Sequence, residues 1–472
     1  MMNTGISAGR SLVPFGIFVV SAVVLSCIGA MNIELLVAAG IAGMLAGGML
    51  ADDAEAYWKT LFGQMGSPTA MTATLLWLVV SIYGNVLKAG HIVEGLVWAV
   101  NAVDMGPSLF TAVVFLFSAL FAVATGSGFG TISSMSITLF PAGVAVGADP
   151  SLLGGAILSG AALGDSIAPV SDTAVIAAST QTYGTGGRVA SVGGTVKHRL
   201  PLVLCAMAAT LAVYLLCGRA QDEGSVHTIH AAGSDWKGLA LLIPTFVVVG
   251  LAFRRVNIFM SLAAGIVLSV AIGLSLGLFA FSDIVRVDSR GAGGAVVDGI
   301  GSMSGICILL VVAVALSGVA VGSGCMEALE RMMCGRTVGR KRDAEWVILA
   351  LSLTAGILIA AVNTIANICV APIVNHIGNE HRIHPFRRVT ILALSVCTFP
   401  FVVPYGGCVL LLCNGVDSAG CQAYVRPGEL LCTTFYPWAL LVCVVWYCAR
   451  GKRKVRKDNA LRGPGRVSAG TE

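Results

Sequence analysis

The stretch GAILSGAALGDSIAPVSDTAVIAAS, residues 155–179, decides how the chain is read. It is apolar at both ends and broken in the middle by GDSIAPVSDT (164–173), which carries Asp165 and Asp172 on either side of Pro169. Gly164 permits unusual dihedrals, and Pro169 removes a backbone donor and disfavours helix at Ala168. A helix entering this segment therefore unwinds. Its freed carbonyls lie beside the hydroxyls of Ser166, Ser171 and Thr173 and two carboxylates.

The surroundings are those of a membrane protein. Of 472 residues 56% are apolar and only 11% charged, against about 25% charged in a typical soluble domain. The mean hydropathy is +0.88. This composition excludes a soluble enzyme, a disordered scaffold and a nucleic-acid binder. Alternating strands of about ten residues are absent, which leaves a helical polytopic protein rather than a barrel. The 14 cysteines form no C-x-x-C pair and fall mostly in apolar runs, as at Cys27, Cys205 and Cys443. They read as small buried residues. Only Cys413, Cys421 and Cys432 stand round a short loop where pairing could occur. Seven histidines lie mostly in loops or near segment ends and are assigned no role.

Apolar runs long enough to span lie near 12–30, 32–50, 70–87, 200–217, 238–253, 257–280, 303–321 and 432–449. The first ends in VVLSC, which faintly suggests a lipoprotein cleavage site at Cys27, but the run is too long for a signal peptide and reads as a membrane helix. Four further segments are apolar with interrupted middles. They are 108–148, broken at TGSGFGT (125–131); 151–180; 344–378, broken at NTIAN (363–367); and 387–416, broken at PFVVPYGG (400–407). An offset of 235 residues carries Pro169 onto Pro404, the end of the 125–131 break into NTIAN, and the spans 70–87 and 200–217 onto 305–322 and 435–452. Such a shared offset indicates an internal duplication.

The basic residues decide the topology. With 108–148 and 344–378 as re-entrant hairpins there are ten spans and both termini inside; 23 of the 29 Lys and Arg then lie on the cytoplasmic side, with 6 outside. Single crossings at those segments would give 17 and 12. Each half holds five spans, an odd number, so the second half is inverted. The expected fold is an all-α polytopic membrane protein of two inverted repeats, each with five spans, a re-entrant hairpin and an unwound helix. The first repeat covers 1–218, an external linker 219–236, the second repeat 237–449, and a basic cytoplasmic tail 450–472.

Interrupted helices at matching positions of two repeats mark a transporter's binding site. Asp165 and Asp172 are the ionisable groups at mid-segment. A carboxylate at that depth costs several kcal/mol unless partnered, so both are candidate ion and proton ligands, with Na+ as the metal ion. The bland alternative is a buried acid capping a helix end, which Asp172 would suit. Gly126, Gly128 and Gly130 let the tip at 125–131 turn, and Ser127, Thr131 and Ser133 offer hydroxyls. The second half is neutral: Asn363, Thr364, Asn367 and Tyr405 form a half-site, and Gly407 stands where the offset would place Asp172.

The 155–179 stretch resembles the signature of the Na+/H+ antiporter NhaC family, GAxxSGAxxGDxxSPLSDTT, and TGSGFGT resembles that family's TGT/SSWGT element. The likeness is specific over about 120–180 and rests on hydropathy elsewhere. NhaC belongs to the ion-transporter superfamily, so the resemblance implies inverted repeats with paired hairpins and unwound helices. Asp165 and Asp172 match the family's two acids, Ser171 and Thr173 their polar neighbours, and Ser127 and Thr131 the tip. Ala168 replaces a Ser, Phe129 replaces a frequent Trp, and PFVVPYGGC departs from the family's second-half pattern.

The expected function is secondary active Na+/H+ antiport, with Na+ and H+ competing at buried carboxylates under alternating access. A second reading is Na+- or H+-coupled transport of an organic acid or amino acid, of the malate/lactate kind. Readings from other classes are a passive channel and an intramembrane aspartyl protease, but both acids lie on one segment and no Tyr-Asp partner is present. No enzymatic activity, cofactor or nucleic-acid partner is expected. The expected partners are Na+, H+ and membrane lipid, with an organic anion or amino acid and a homodimer as open options. The expected location is a bacterial inner membrane.

Overall fold

The computed structural model describes residues 4–450, apart from 28–32, 103–104, 127, 169–170, 184–188, 218–235, 255, 289–290, 325–327, 329–340, 361–362 and 420–422. The linker at 219–236, all but its last residue, and the tail beyond Arg450 lie outside the described residues, as do Ser127 and Pro169. Helices dominate. In the first half they are α1 (Leu12–Cys27), α2 (Ile33–Leu50), α3 (Ala54–Met65), α4 (Pro68–Ala89), α5 (Ile92–Ala102), α6 (Pro107–Thr125), α7 (Gly128–Ala145), α8 (Pro150–Ile167), α9 (Asp172–Ser179) and α10 (Val192–Cys217). After a 3-10 turn at Trp236–Leu241 come α11 (Leu242–Phe253), α12 (Ile258–Leu276), α13 (Phe281–Ile284) and α14 (Ala295–Gly322). The remainder is α15 (Lys341–Leu358), α16 (Asn363–Glu380), α17 (Pro385–Val396), α18 (Gly407–Ala419), α19 (Pro427–Thr433) and α20 (Phe435–Ala449). An antiparallel pair, β1 (Arg286–Asp288) with β2 (Gly291–Gly293), departs from helix in the loop before α14.

The protein is a multi-pass membrane protein. By length and composition five described helices suffice to cross a membrane, and six if α19 and α20, bent by 49°, form one span. Ten spans were expected. The difference lies in helices cut short rather than missing: α1 has 16 residues, α11 has 12 and α20 has 15.

Local chemistry sets the element starts. Pro68, Pro107, Pro150, Pro385 and Pro427 occupy first helical positions, where the missing N–H costs nothing. The Asp149 carboxylate accepts the Leu152 N–H at 2.8 Å and caps α8; His384 Nδ1 accepts the Phe386 N–H at 3.3 Å and caps α17. These two caps are 235 residues apart. So are the starts of α7 and α16, of α8 and α17, and of α9 and α18.

Packing crosses between the halves at the interrupted segments. α6 and α7 form one hairpin against α8, and α15 and α16 form another against α17. α7 also lies on α18, and α16 on α9, so each hairpin touches the broken helix of the other half. α4 runs along α14. Small residues permit these approaches: a Cβ on Gly160 would fall 2.6 Å from the Phe115 carbonyl oxygen, and one on Gly415 about 2.0 Å from Ser136 Oγ.

Two arginines expected among the cytoplasmic loop charges are instead buried and hydrogen-bonded to the protein. Arg387 pairs with Glu345 through Nε and, at 2.7 Å, through Nη2; it also donates to the Tyr447 carbonyl and lies 4.1 Å from that ring's centroid. Arg388 donates to the Asn375 carbonyl and side chain, the Thr182 carbonyl and the Asn379 side chain, at 2.9–3.1 Å. It thereby ties the strip after α9 to α16.

Gly164 makes the tightest contact between α6 and α8, since an added Cβ would sit 2.1 Å from the Ala122 methyl. Gly164→Ala should therefore destabilise the purified protein by about 1–3 kcal/mol. Ala122→Gly in the same chain should recover only part of the loss in thermal melting, because the Ala122 carbonyl carbon and Cα would still lie 2.8 and 2.9 Å from the new methyl; an unimproved double variant would refute the methyl contact.

Candidate functional site

The site forms where α8 stops. The Ala168 N–H still bonds the Gly164 carbonyl at 2.8 Å, but Ala168 itself turns extended with ψ 123°, and Ser171 is extended with ψ 134° before α9 begins. Gly and Pro were read to unwind the helix at this place, and the described backbone on both sides of 169–170 does leave the helix. Asp165 lies in the last turn of α8, 6% exposed. Burial of a carboxylate in an apolar core demands polar partners; two directions bring donors to the Asp165 side chain, and a third brings hydroxyls to its backbone carbonyl.

The first is the hairpin tip. Gly126 takes a left-handed conformation, φ 68°, and ends α6 by bonding the Ala122 carbonyl at 2.9 Å. This turns the chain so that α7 starts at Gly128, whose N–H donates to Asp165 Oδ1 at 3.1 Å. The carboxylate thus sits at a helix N-terminus, where free N–H groups and the helix dipole favour negative charge. A Cβ at position 128 would approach Asp165 Oδ2 to 2.9 Å, so glycine is needed for this contact.

The second comes from the other half. Asn363 opens α16 as Gly128 opens α7, and its Nδ2 donates to Asp165 Oδ2 at 3.3 Å. Asn367, one turn on, donates to the Asn363 carbonyl at 3.4 Å. The side-chain oxygens of Asn363 and Asn367 are buried and accept no hydrogen bond. The third comes from α9: Ser171 and Thr173 hydroxyls are 2.8 Å apart, and Thr173 Oγ1 donates to the Asp165 carbonyl at 3.5 Å.

Asp165, Ser171, Thr173, Asn363 and Asn367 therefore converge, with Thr131 buried on α7 nearby in sequence to the tip. Thr364 is half-buried on the first turn of α16. Tyr405 is turned to another task, its hydroxyl donating to the Ile357 carbonyl at 3.0 Å. Asp172 begins α9, but its side chain, like Ser127, is outside what is described. Among the described residues no group of three His, Cys, Asp or Glu could hold a metal ion. The oxygens gathered here comprise one carboxylate with neutral amides, hydroxyls and carbonyls. Such a set suits a hard monovalent cation or, alternatively, a proton on the carboxylate.

Sequence reasoning missed one contributor and misplaced one buried charge. The Gly128 N–H is a backbone donor, legible only once the tip is known to open a helix. Arg199 was counted as a loop charge, yet α10 starts at Val192 and buries it to 1% exposure.

Similarities to known proteins agree with this picture. Residues 10–218 match the Na+/H+ antiporter family model. The Na(+)/H(+) antiporter NhaC of Alkalihalophilus pseudofirmus is 24% identical over 62% of this chain and 63% of its own length. The arginine/ornithine antiporter ArcD of Halobacterium salinarum is 25% identical over 50% of this chain and 49% of its own. The malate-2H(+)/Na(+)-lactate antiporter of Bacillus subtilis is 32% identical over 24% of each chain. The chain thus spans about half to somewhat under two thirds of the NhaC and ArcD relatives. Among solved structures the YdaH transporter of Alcanivorax borkumensis aligns with a TM-score of 0.42 and 15% identity, covering 85% of this chain and 89% of its own. The likeness to the NhaC family carried by residues 155–179 is borne out by the family match and the NhaC relative.

The contact between the two halves at Asp165 can be measured. Asp165→Ala and Asn363→Ala should show a coupling of about 0.5–3 kcal/mol in a double-mutant cycle of detergent unfolding. Strict additivity would mean that the two side chains do not meet.

Proposed function

We propose, from the premise that residues 10–218 form an Na+/H+ antiporter family segment, that the protein is a secondary active transporter exchanging Na+ for H+. The observation that carries the reading is the Asp165 carboxylate held at the meeting point of two helix N-termini from opposite halves. A buried carboxylate can be neutralised by a proton or by a cation, but not by both. Desolvation favours the proton, and a nearby cation displaces it. Each occupant leaves when the other is abundant on the open side.

The neutral oxygens complete a Na+ shell on this reading. The free Oδ1 atoms of Asn363 and Asn367 would turn toward the ion, with the Ser171 and Thr173 hydroxyls and carbonyls of the break as further ligands. Asp172 supplies a second acid at the start of α9, and Ser127 and Thr131 the tip hydroxyls; Thr364 belongs to the neutral half-site. The two halves act as inverted repeats, 1–218 and 237–449, with the hairpins entering from opposite faces and both termini cytoplasmic in a bacterial inner membrane. The 235-residue spacing of the caps and helix starts supports that arrangement. Alternating access follows from rocking of the halves about the site. No cofactor is required beyond the transported ions.

A second cargo is supported by the relatives named for arginine/ornithine and malate/lactate exchange. In that reading the Asn363, Thr364 and Asn367 face holds an organic acid or amino acid while Asp165 keeps the coupling ion.

In everted vesicles, Na+ added after a pH gradient is established should collapse that gradient. Asp165→Asn should abolish the response, because an amide can neither release a proton nor neutralise Na+. If Asp165→Asn and Asp172→Asn, singly and together, leave the collapse intact, the reading is wrong. Uptake of a labelled organic acid or amino acid without Na+/H+ exchange would favour the second cargo.

A further inference from the structure

The halves grip each other at two matching places. Thr182 follows the end of α9 in the first half, and the second half bonds its carbonyl, its N–H and its hydroxyl. Arg388 Nη2 donates to the carbonyl at 2.9 Å. Asn375 Oδ1 accepts the N–H at 3.0 Å. Asn375 Nδ2 and Asn379 Nδ2 donate to the hydroxyl at 3.2 and 3.4 Å. The offset of 235 carries Thr182 onto Asp417, beside Ser418 in the last turn of α18. There Lys88 Nζ, from α4 of the first half, donates to the Ser418 carbonyl at 3.1 Å. Carbonyls at a helix end have no partner along the helix, and the dipole favours a cation there.

In each half, then, a cation from the other half holds a carbonyl at the end of the broken helix. The cations themselves are not repeats of one another. The offset maps Arg388 onto Leu153 and Lys88 onto Ser323. The shared feature is the carbonyl, and a different element reaches it on each side. The grips are also unequal. Arg388 is fastened within its own half to Asn375 and Asn379 at 3.0–3.1 Å, so a fixed fork meets Thr182. The hold on Ser418 is one bond from a flexible side chain. It is backed by Asn414, which donates to the Ser302 carbonyl at 2.7 Å, and by the Ser302 and Ser81 hydroxyls, 3.1 Å apart.

We propose that the Arg388–Thr182 and Lys88–Ser418 contacts are the latches of two opposing gates to the Asp165 site. This rests on the reading of the halves as inverted repeats that give alternating access. On the proposed topology Arg388 shuts the cytoplasmic approach and Lys88 the external one. Neither side chain touches the cargo; both are positioning residues. Each latch spans the two halves, so it must part before they rock open on its side. The single Lys88 bond parts more readily than the grip on Thr182, and the external gate opens more often.

The test uses the full chain with Na+ as the probe, in everted vesicles for the cytoplasmic face and right-side-out vesicles for the external face. A face that is open in only a fraction of molecules shows an affinity reduced by that fraction. Arg388→Gln removes a charged hydrogen bond and should lower the half-saturating Na+ concentration about ten-fold at the cytoplasmic face, without lowering it at the external face. Lys88→Met should do the reverse, and Lys88→Arg should keep both wild-type values. Where Arg388→Gln fails to fold, Asn379→Ala should move the cytoplasmic value about three-fold in the same direction, since it removes one weaker bond of the same grip. Equal shifts at both faces, or none, overturn the inference.

Hydrogen exchange supplies a readout that needs no transport. An open gate wets the buried site, so Arg388→Gln should speed exchange in the first turn of α7, and Lys88→Met in the first turn of α16. Each of these turns lies on the hairpin that does not carry the replaced bond, and a purely local loosening would leave it unmoved. A wild type that ignores Na+ in both kinds of vesicle refutes the antiport reading, and faster exchange at both tips then still supports the latches. A wild type that responds to Na+, with both tips unmoved in the variants, refutes the latches alone.

Discussion

A carboxylate inside a membrane protein must be answered by polar groups, and the arrangement of the broken segments follows from that requirement. Asp165 is buried in the last turn of α8. Water is excluded, so the donors that satisfy it must belong to the chain. Continuous helices cannot provide them, because their N–H groups are already bonded along the helix axis. Only helix starts have N–H groups to spare. The chain brings one such start, Gly128, directly to the carboxylate, and sets a side chain from a second start, Asn363, beside it. The two hairpins are thus more than a membrane-filling device; their tips deliver helix N-termini to mid-protein.

This convergence is one of several places where the halves meet: Tyr214 with Thr433, Ser81 with Ser302 and Gln181 with Ala371 also bond across them. The bond from Gly128 stays within the first half, and that from Asn363 crosses from the second. The bonds that reach Asp165 from Gly128, Thr173 and Asn363 are long, at 3.1–3.5 Å. By contrast, the Arg387–Glu345 pair binds α17 to α15 within the second half. On the antiport proposal the halves move against one another, which needs strong bonds inside each body and weaker ones where they meet. Arg388 also bonds across the halves, fastening the strip after α9 to α16 through four contacts. Its partners there are neutral carbonyl and amide oxygens, which can be exchanged for water more cheaply than a buried ion pair can be broken.

Much of this was legible in the residues, and the reasons are local. Gly126 and the GDSIAPVSDT segment mark their breaks because glycine alone takes left-handed dihedrals freely and proline cannot continue a hydrogen-bonded ladder. The caps at Asp149 and His384 stand before prolines, a readable helix start. Other features were hidden. The amphipathic α3 and α5 lie between spans and give no strong hydropathy signal. The first turns of α10, VGGTVKHR, read as a loop because four polar or basic side chains, Thr195, Lys197, His198 and Arg199, precede the apolar run. A count of charges by side then assigns Arg199, Arg387 and Arg388 to water, since it knows only sequence distance from a span. Tyr405 was grouped with the half-site by its place in the break; its ring and hydroxyl direction, set by packing on α15, took it elsewhere.

The unequal division of charge between otherwise parallel halves now has a physical explanation. The offset that carries Gly128 onto Asn363 carries Asp165 onto Pro400 and Asp172 onto Gly407. A second carboxylate at the mirrored position would face the first across the meeting point of the hairpins. Two carboxylates so close cannot both ionise, and one would keep its proton through the whole working pH range. Replacing the second acid by proline and glycine leaves that half a neutral contributor of amide oxygens. On the antiport proposal, Asp165 then meets no competing acid from the mirrored position, and a proton there exchanges for a monovalent metal ion of equal charge without altering the charge of the core.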